Sequence, residues 1–75
     1  MVTRLFFVTA LEDVRKEHSM TQAELAKRVG VRRETISHLE NARYDPSLKL
    51  AMDIAKVFGK QVEELFWYEE IHEED

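Results

Sequence analysis

Seventy-five residues with a formal net charge of −4 form one small domain, near the size at which a single apolar core just suffices and added burial by dimerisation helps. The chain has no cysteine, which excludes a disulfide framework and any cysteine-ligated metal or thiol chemistry. The apolar run Leu5 to Val8 is too short to cross a membrane and lacks signal-peptide flanks, so the expected compartment is the cytoplasm.

Residues Thr3 to Val8 are rich in β-formers, as are Phe66 to Ile71, where aromatic residues alternate in part with polar ones; together they predict a two-stranded antiparallel ribbon built from the two termini. An isolated ribbon is marginally stable, so it should lie on the helices or at a subunit contact. A competing reading extends the first helix backward, because Phe7, Leu11, Val14 and His18 also fit a helical stripe. Thr9-Ala-Leu-Glu12 reads as a capping box opening a first helix that runs to about His18, and Thr21-Gln-Ala-Glu24 reads as a second box.

The segment Gln22 to Asn41 carries the strongest pattern. Leu25, Ala26 and Val29 form an inward stripe on one short helix, and Ile36 and Leu39 form another on the next. Ala26 is small where two backbones cross closely, Gly30 stands where a positive φ is needed to leave the first helix, and Val31 plugs the turn. Two helices joined by a tight glycine-containing turn describe a helix-turn-helix. Beyond it, Pro46 keeps residue 45 out of helical conformation and Ser47 caps a fourth helix with Leu48, Ala51, Ile54, Ala55 and Phe58 inward, ended by Gly59. A short fifth helix, about Val62 to Phe66, presents Val62, Leu65 and Phe66 to the core.

Charge is polarised along this order. Residues 1–43 hold eight Lys/Arg against six Asp/Glu, and residues 44–75 hold three against nine. Arg32, Arg33 and Arg43 cluster around the second motif helix, as a nucleic-acid partner requires, while Glu69, Glu70, Glu73, Glu74 and Asp75 crowd the C-terminus. The acidic end reads equally as a surface turned away from phosphates or as a solvated, frayed tail.

The motif and the continuation RYDPSLKLAMDIAKVFGKQVEELFWYEE resemble the Cro and lambda-repressor-like, or Xre-type, helix-turn-helix proteins over roughly Thr9 to Phe66. The resemblance implies an all-α, five-helix domain, here with a short terminal ribbon, acting as a homodimer on pseudo-palindromic double-stranded DNA. It divides the chain into an N-terminal strand (1–8), the helix-turn-helix domain (9–66, motif 22–41) and a C-terminal strand with acidic tail (67–75). Arg33, Glu34 and His38 match positions that enter the major groove, flanked by Arg32, Thr35 and Ser37. Arg33 suits guanine O6 and N7, Glu34 suits cytosine N4 or a role as dipole partner at the helix start, and the Thr35 methyl suits thymine. Thr21 and Gln22, at the start of the first motif helix, and Asn41, Arg43 and Tyr44, in the following loop, match phosphate contacts. Arg15 and Glu40 match a partly buried ion pair linking the first helix to the end of the recognition helix.

Two departures from the family pattern stand out. Arg32 replaces the usual hydroxyl cap, which leaves that helix end short of an acceptor, and Ala42 replaces a common glycine, which adds about 1 kcal/mol of strain if its φ is positive. Phe66, Trp67, Tyr68 and Ile71 carry more apolar surface than a short tail should expose, so they are expected at the dimer contact, the alternative being that these aromatics only cover the protomer's own core. Catalysis is not expected. His18, His38 and His72 are far apart in sequence, no metal-binding or glycine-rich phosphate motif is present, and the pairs Glu63-Glu64 and Glu69-Glu70 are adjacent and tend to point apart. The expected function is that of a sequence-specific homodimeric repressor without cofactor or metal; the alternative is an antitoxin or coactivator that uses the same fold to bind a small protein partner.

Overall fold

The structure, a computed structural model, describes residues 2–73. Its elements are β1 (Val2–Thr9), α1 (Leu11–Glu17), α2 (Gln22–Val29), α3 (Arg33–Glu40), α4 (Leu48–Phe58), α5 (Val62–Leu65) and β2 (Phe66–Glu73). Among the described residues no helix is long and apolar enough to cross a membrane.

The helices form because caps and stripes agree. Thr21 caps α2: its hydroxyl accepts from Glu24 N at 3.0 Å while Glu24 Oε1 accepts from Thr21 N at 3.1 Å, so the expected box is complete. Ser47 caps α4 through Leu50 N at 3.1 Å. The box expected at Thr9 does not form. Thr9 ends β1, Ala10 takes the N-cap position, and the Thr9 hydroxyl accepts from Leu11 N instead, while Glu12 turns toward Lys16 at 3.6 Å. Helices α1 to α4 all end by folding the chain back onto the last turn, with Met20, Val31, Arg43 and Lys60 N–H groups reaching carbonyls five residues earlier. That closure needs a left-handed residue. Gly30 (φ 73) and Gly59 (φ 63) supply it without strain, whereas Ser19 (φ 52) and Ala42 (φ 56) hold it as non-glycine residues.

The core gathers one side of every helix. Leu11, Leu25, Ile36, Leu39, Ile54 and Leu65 are fully buried, and Val29, Val31 and Val62 pack around them. In α4 the inward stripe is Leu50, Ala51, Ile54, Ala55 and Phe58, and Leu48, expected inside, is 73% exposed. Leu48 is the first residue after the cap and lies about 200° around the helix from Leu50, on the same outer side as exposed Met52. Helix α5 stops at Leu65 because Phe66 adopts extended geometry (φ −138, ψ 134) and enters the ribbon while its ring stays in the core.

The all-α expectation is corrected by that ribbon. β1 and β2 pair antiparallel over eight residues each, from Val2 opposite Glu73 to Thr9 opposite Phe66, and the ladder continues as Ala10 N–H donates to Leu65 O at 2.9 Å. The β-formers of Thr3–Val8 thus prevail over the backward extension of α1. The ribbon does not lie across the helices. It leaves the head at one end, so the molecule measures 46 × 22 × 21 Å. Only its base is packed: Phe7 stacks on Phe66 with ring centroids 5.9 Å apart and meets Tyr68 at 5.6 Å. Further out, Leu5, Phe6 and Ile71 are exposed, flanked by Arg4, Glu69, Glu70 and Glu73; Glu74 and Asp75 of the expected acidic tail lie outside the described residues.

Candidate nucleic-acid interface

Helix α3 has two faces with different jobs. Ile36 and Leu39 are fully buried and fix its depth, while Arg33, Glu34 and His38, related by one and by four to five residues, share the outward side and are exposed. Thr35 and Ser37 flank them half-buried, and Arg32 is exposed at the N-cap. As its sequence implies, Arg32 makes no side-chain cap, so the first turn of α3 presents backbone N–H groups beside two guanidinium groups. Helix dipole and side-chain charge therefore add, and an anion is favoured at that end.

A polar chain fixes how α3 sits. Arg15 of α1 grips Glu40, the last residue of α3, with Nε to Oε2 at 2.6 Å and Nη2 to Oε1 at 3.1 Å, and its Nη1 donates to Met20 O at 2.8 Å. The pair is more than partly buried: side-chain exposures are 9% for Arg15 and 2% for Glu40. Glu40 holds the Arg15 guanidinium still more firmly protonated than usual, chiefly through these hydrogen bonds. The carboxylate also accepts from Gln22 Nε2 at 2.9 Å, and Gln22 Oε1 in turn accepts from Arg33 Nη1 at 3.3 Å. Arg33 Nη2 lies 3.5 Å from Glu34, so that carboxylate has the neighbouring arginine it needs near an anionic surface.

The family resemblance implies the Arg15–Glu40 pair, whereas Gln22 as the link between that pair and Arg33 emerges only in the structure. Gln22 spends one amide N–H and its carbonyl on these neighbours and keeps a second N–H at the start of α2. Thr21 is exposed and occupied as the cap.

The loop after α3 is tied to it. Asn41 Nδ2 donates to Ser37 O at 2.9 Å, and Tyr44 Oη donates to Thr35 O at 3.4 Å; partial burial pushes the Tyr44 hydroxyl pKa up. Arg43 and Tyr44 are exposed on the same loop. Of the aromatic and apolar residues expected at a subunit contact, Tyr68 and Ile71 are exposed, Trp67 is half-buried, and Phe66 is buried in the protomer's own core at 6% exposure. Among the described residues no cluster of His, Asp and Glu is arranged to hold a metal ion.

The chain is similar to known proteins over most of its length. Residues 11–65 match the helix-turn-helix family. A protein described as an uncharacterized HTH-type transcriptional regulator from Archaeoglobus fulgidus is 55% identical over 62 residues, covering 83% of this chain and 87% of its own. Another, from Methanocaldococcus jannaschii, is 52% identical over 60 residues, 80% of this chain and 91% of its own. The immunity repressor protein of Bacillus phage phi105 is 31% identical over 65 residues, which are 87% of this chain and 45% of that protein.

Proposed function

The chain belongs to the helix-turn-helix family of Xre and lambda-repressor-like DNA-binding transcription regulators, and on that premise we propose that it is a homodimeric repressor of a pseudo-palindromic operator. The observation that carries this reading is the outer face of α3. Two arginines and free backbone donors crowd its first turn, while its inner face and its last residue are locked to the rest of the head. A helix so presented enters a major groove with its N-terminal residues on base edges. Arg33, Glu34 and His38 read bases, with Arg32, Thr35 and Ser37 beside them. Thr21, Gln22, Asn41, Arg43 and Tyr44 hold the two flanking phosphate runs. Trp67, Tyr68 and Ile71 join two copies through the ribbon, with Phe66 supporting it from the core side. The phage relative's name, a repressor, favours repression over activation.

Selection from a random duplex library followed by fluorescence titration tests the reading. The expected site is two-fold related with half-site centres about 34 Å apart, and affinity falls steeply with salt. Arg33→Ala should cost about 1–3 kcal/mol and relax preference at one base pair per half-site, whereas Arg43→Ala should weaken all sequences alike and lower the salt slope by about one per protomer. A library from which no sequence is enriched overturns the repressor assignment.

A further inference from the structure

The ribbon meets the head at one narrow place, packed there through the Phe66 and Phe7 rings but open on the side that faces residues 45–48. Between its base and residues 45–48 runs an open groove of about 420 Å³, lined by Pro46, Leu48, Val62, Phe66 and Trp67 among others. On that open side few atoms resist a swing of the ribbon toward the head, because attraction and repulsion both need atoms in contact. One polar tie crosses it. Tyr68 Oη donates to the Asp45 carboxylate, a charge-assisted bond of the stronger, more directional kind. Each end of the tie is anchored. Tyr68 is held against the Phe7 ring, and Asp45 directly follows Tyr44, whose hydroxyl is bonded to the Thr35 carbonyl of α3.

We propose that the Tyr68–Asp45 hydrogen bond is a latch that fixes the angle between the dimerising ribbon and the DNA-reading head, and thereby sets which half-site spacing the dimer accepts. The inference rests on the reading of the ribbon as the dimer contact. Its leverage is large: a rotation of about 10° over a head of about 20 Å moves a recognition helix by about 3.5 Å, close to the rise of one base pair. Tyr68 and Asp45 are positioning residues and touch no base.

The test uses the full chain, the duplex that the protein itself selects from a random library, the same duplex with one base pair added or removed between half-sites, and a single half-site duplex. Asp45→Ala should sediment as a dimer and bind the single half-site like the parent. Its preference for the native spacing over the altered ones should drop about fivefold, the net weight of one ordinary hydrogen bond, to which solvent exposure reduces this one. Tyr68→Phe, which keeps the ring, should lose the same preference, and the double variant should lose no more than either alone. A parent that is dimeric and whose spacing preference survives both substitutions overturns the latch alone. A parent that is monomeric while saturating the full site overturns the dimer reading and the latch with it.

Discussion

Arg15→Ala should destabilise the domain by about 3–5 kcal/mol, the cost of breaking a buried ion pair by removing one partner. The structure supports that size. Glu40, with its side chain 2% exposed, accepts from two Arg15 nitrogens at 2.6 and 3.1 Å and from Gln22 at 2.9 Å. Without Arg15 only the amide donor remains, and Met20 O also loses its guanidinium partner. Hydrogen bonds to charged groups contribute about 1.5–3 kcal/mol each, so losing two to one buried carboxylate reaches the same range. At about 0.05–0.15 kcal/mol per residue, a chain of this length has only about 4–11 kcal/mol in total. With a urea slope near the lower limit of about 1 kcal/mol/M for small domains, the midpoint should fall by roughly 3 M or to the edge of folding. Urea titration followed by far-ultraviolet circular dichroism measures it. Arg15→Met combined with Glu40→Leu should recover most of the loss, because no charge is then left buried. If Arg15→Ala unfolded within about 1 kcal/mol of the parent at unchanged slope, the pair would be behaving as an exposed one and the account of α3 as locked at its end would fail.

Ala42 sits at φ 56, so Ala42→Gly should stabilise by about 0.5–1 kcal/mol, the left-handed penalty of about 1–2 less the entropy glycine adds to the unfolded chain; thermal melting reads it, and a lower melting temperature counts against strain there. The Thr21 backbone N–H, then its hydroxyl, hold the Glu24 pKa below its ordinary 4.5. A lowered pKa gives stability that is complete above the unfolded value and lost as pH falls through the folded one, so helicity should decline on acidification below about 4.5. Glu24→Gln should flatten that limb; an identical acid profile would remove the box from the balance. Trp67, the sole tryptophan, should change its emission over the concentration range in which sedimentation reports dissociation, and Trp67→Ala should shift the protein toward monomer. A variant that stayed dimeric at low concentration would take the ribbon out of the proposed contact.

What could be read from sequence was whatever local chemistry decides. Thr21, Ser47, Gly30 and Gly59 each satisfy a backbone need within a few residues, and Leu25, Ala26, Ile36 and Leu39 have a spacing that admits one core face. Leu48 was misplaced because α4 is rich in apolar residues on more than one side, so two helical stripes were available and only the tertiary fold selects between them. The box at Thr9 failed for a related reason: the same hydroxyl residue can end a strand or start a helix, and pairing with a segment 57 residues away decided it. That pairing also lengthened the ribbon beyond both apolar runs, to Val2 and Glu73, which made the all-α class wrong. Of the candidate interface, the outward face of α3 was legible in its spacing, while the Arg15–Glu40 pair, 25 residues apart, followed only from the family resemblance. The Gln22 bridge and the Tyr68–Asp45 tie were not legible, since side chains 18 and 23 residues apart share no periodicity that marks them as neighbours.

The pairing of β1 with β2 has a kinetic consequence. Every helix lies between the two strands, so neither can find its partner until the intervening chain is compact, and closing so long a loop costs entropy that only the collapsed head offsets. The helices, by contrast, meet neighbours close in sequence, as α2 meets α3 across one tight turn. Folding is therefore ordered, with the head first and the ribbon last, and opening runs in reverse. On the proposed reading of the ribbon as the seam between two copies, the cheapest opening would be an unzipping of that seam rather than an unfolding of the head. On that reading a dilute protomer would lose its partner while its head stays folded and ready to pair again.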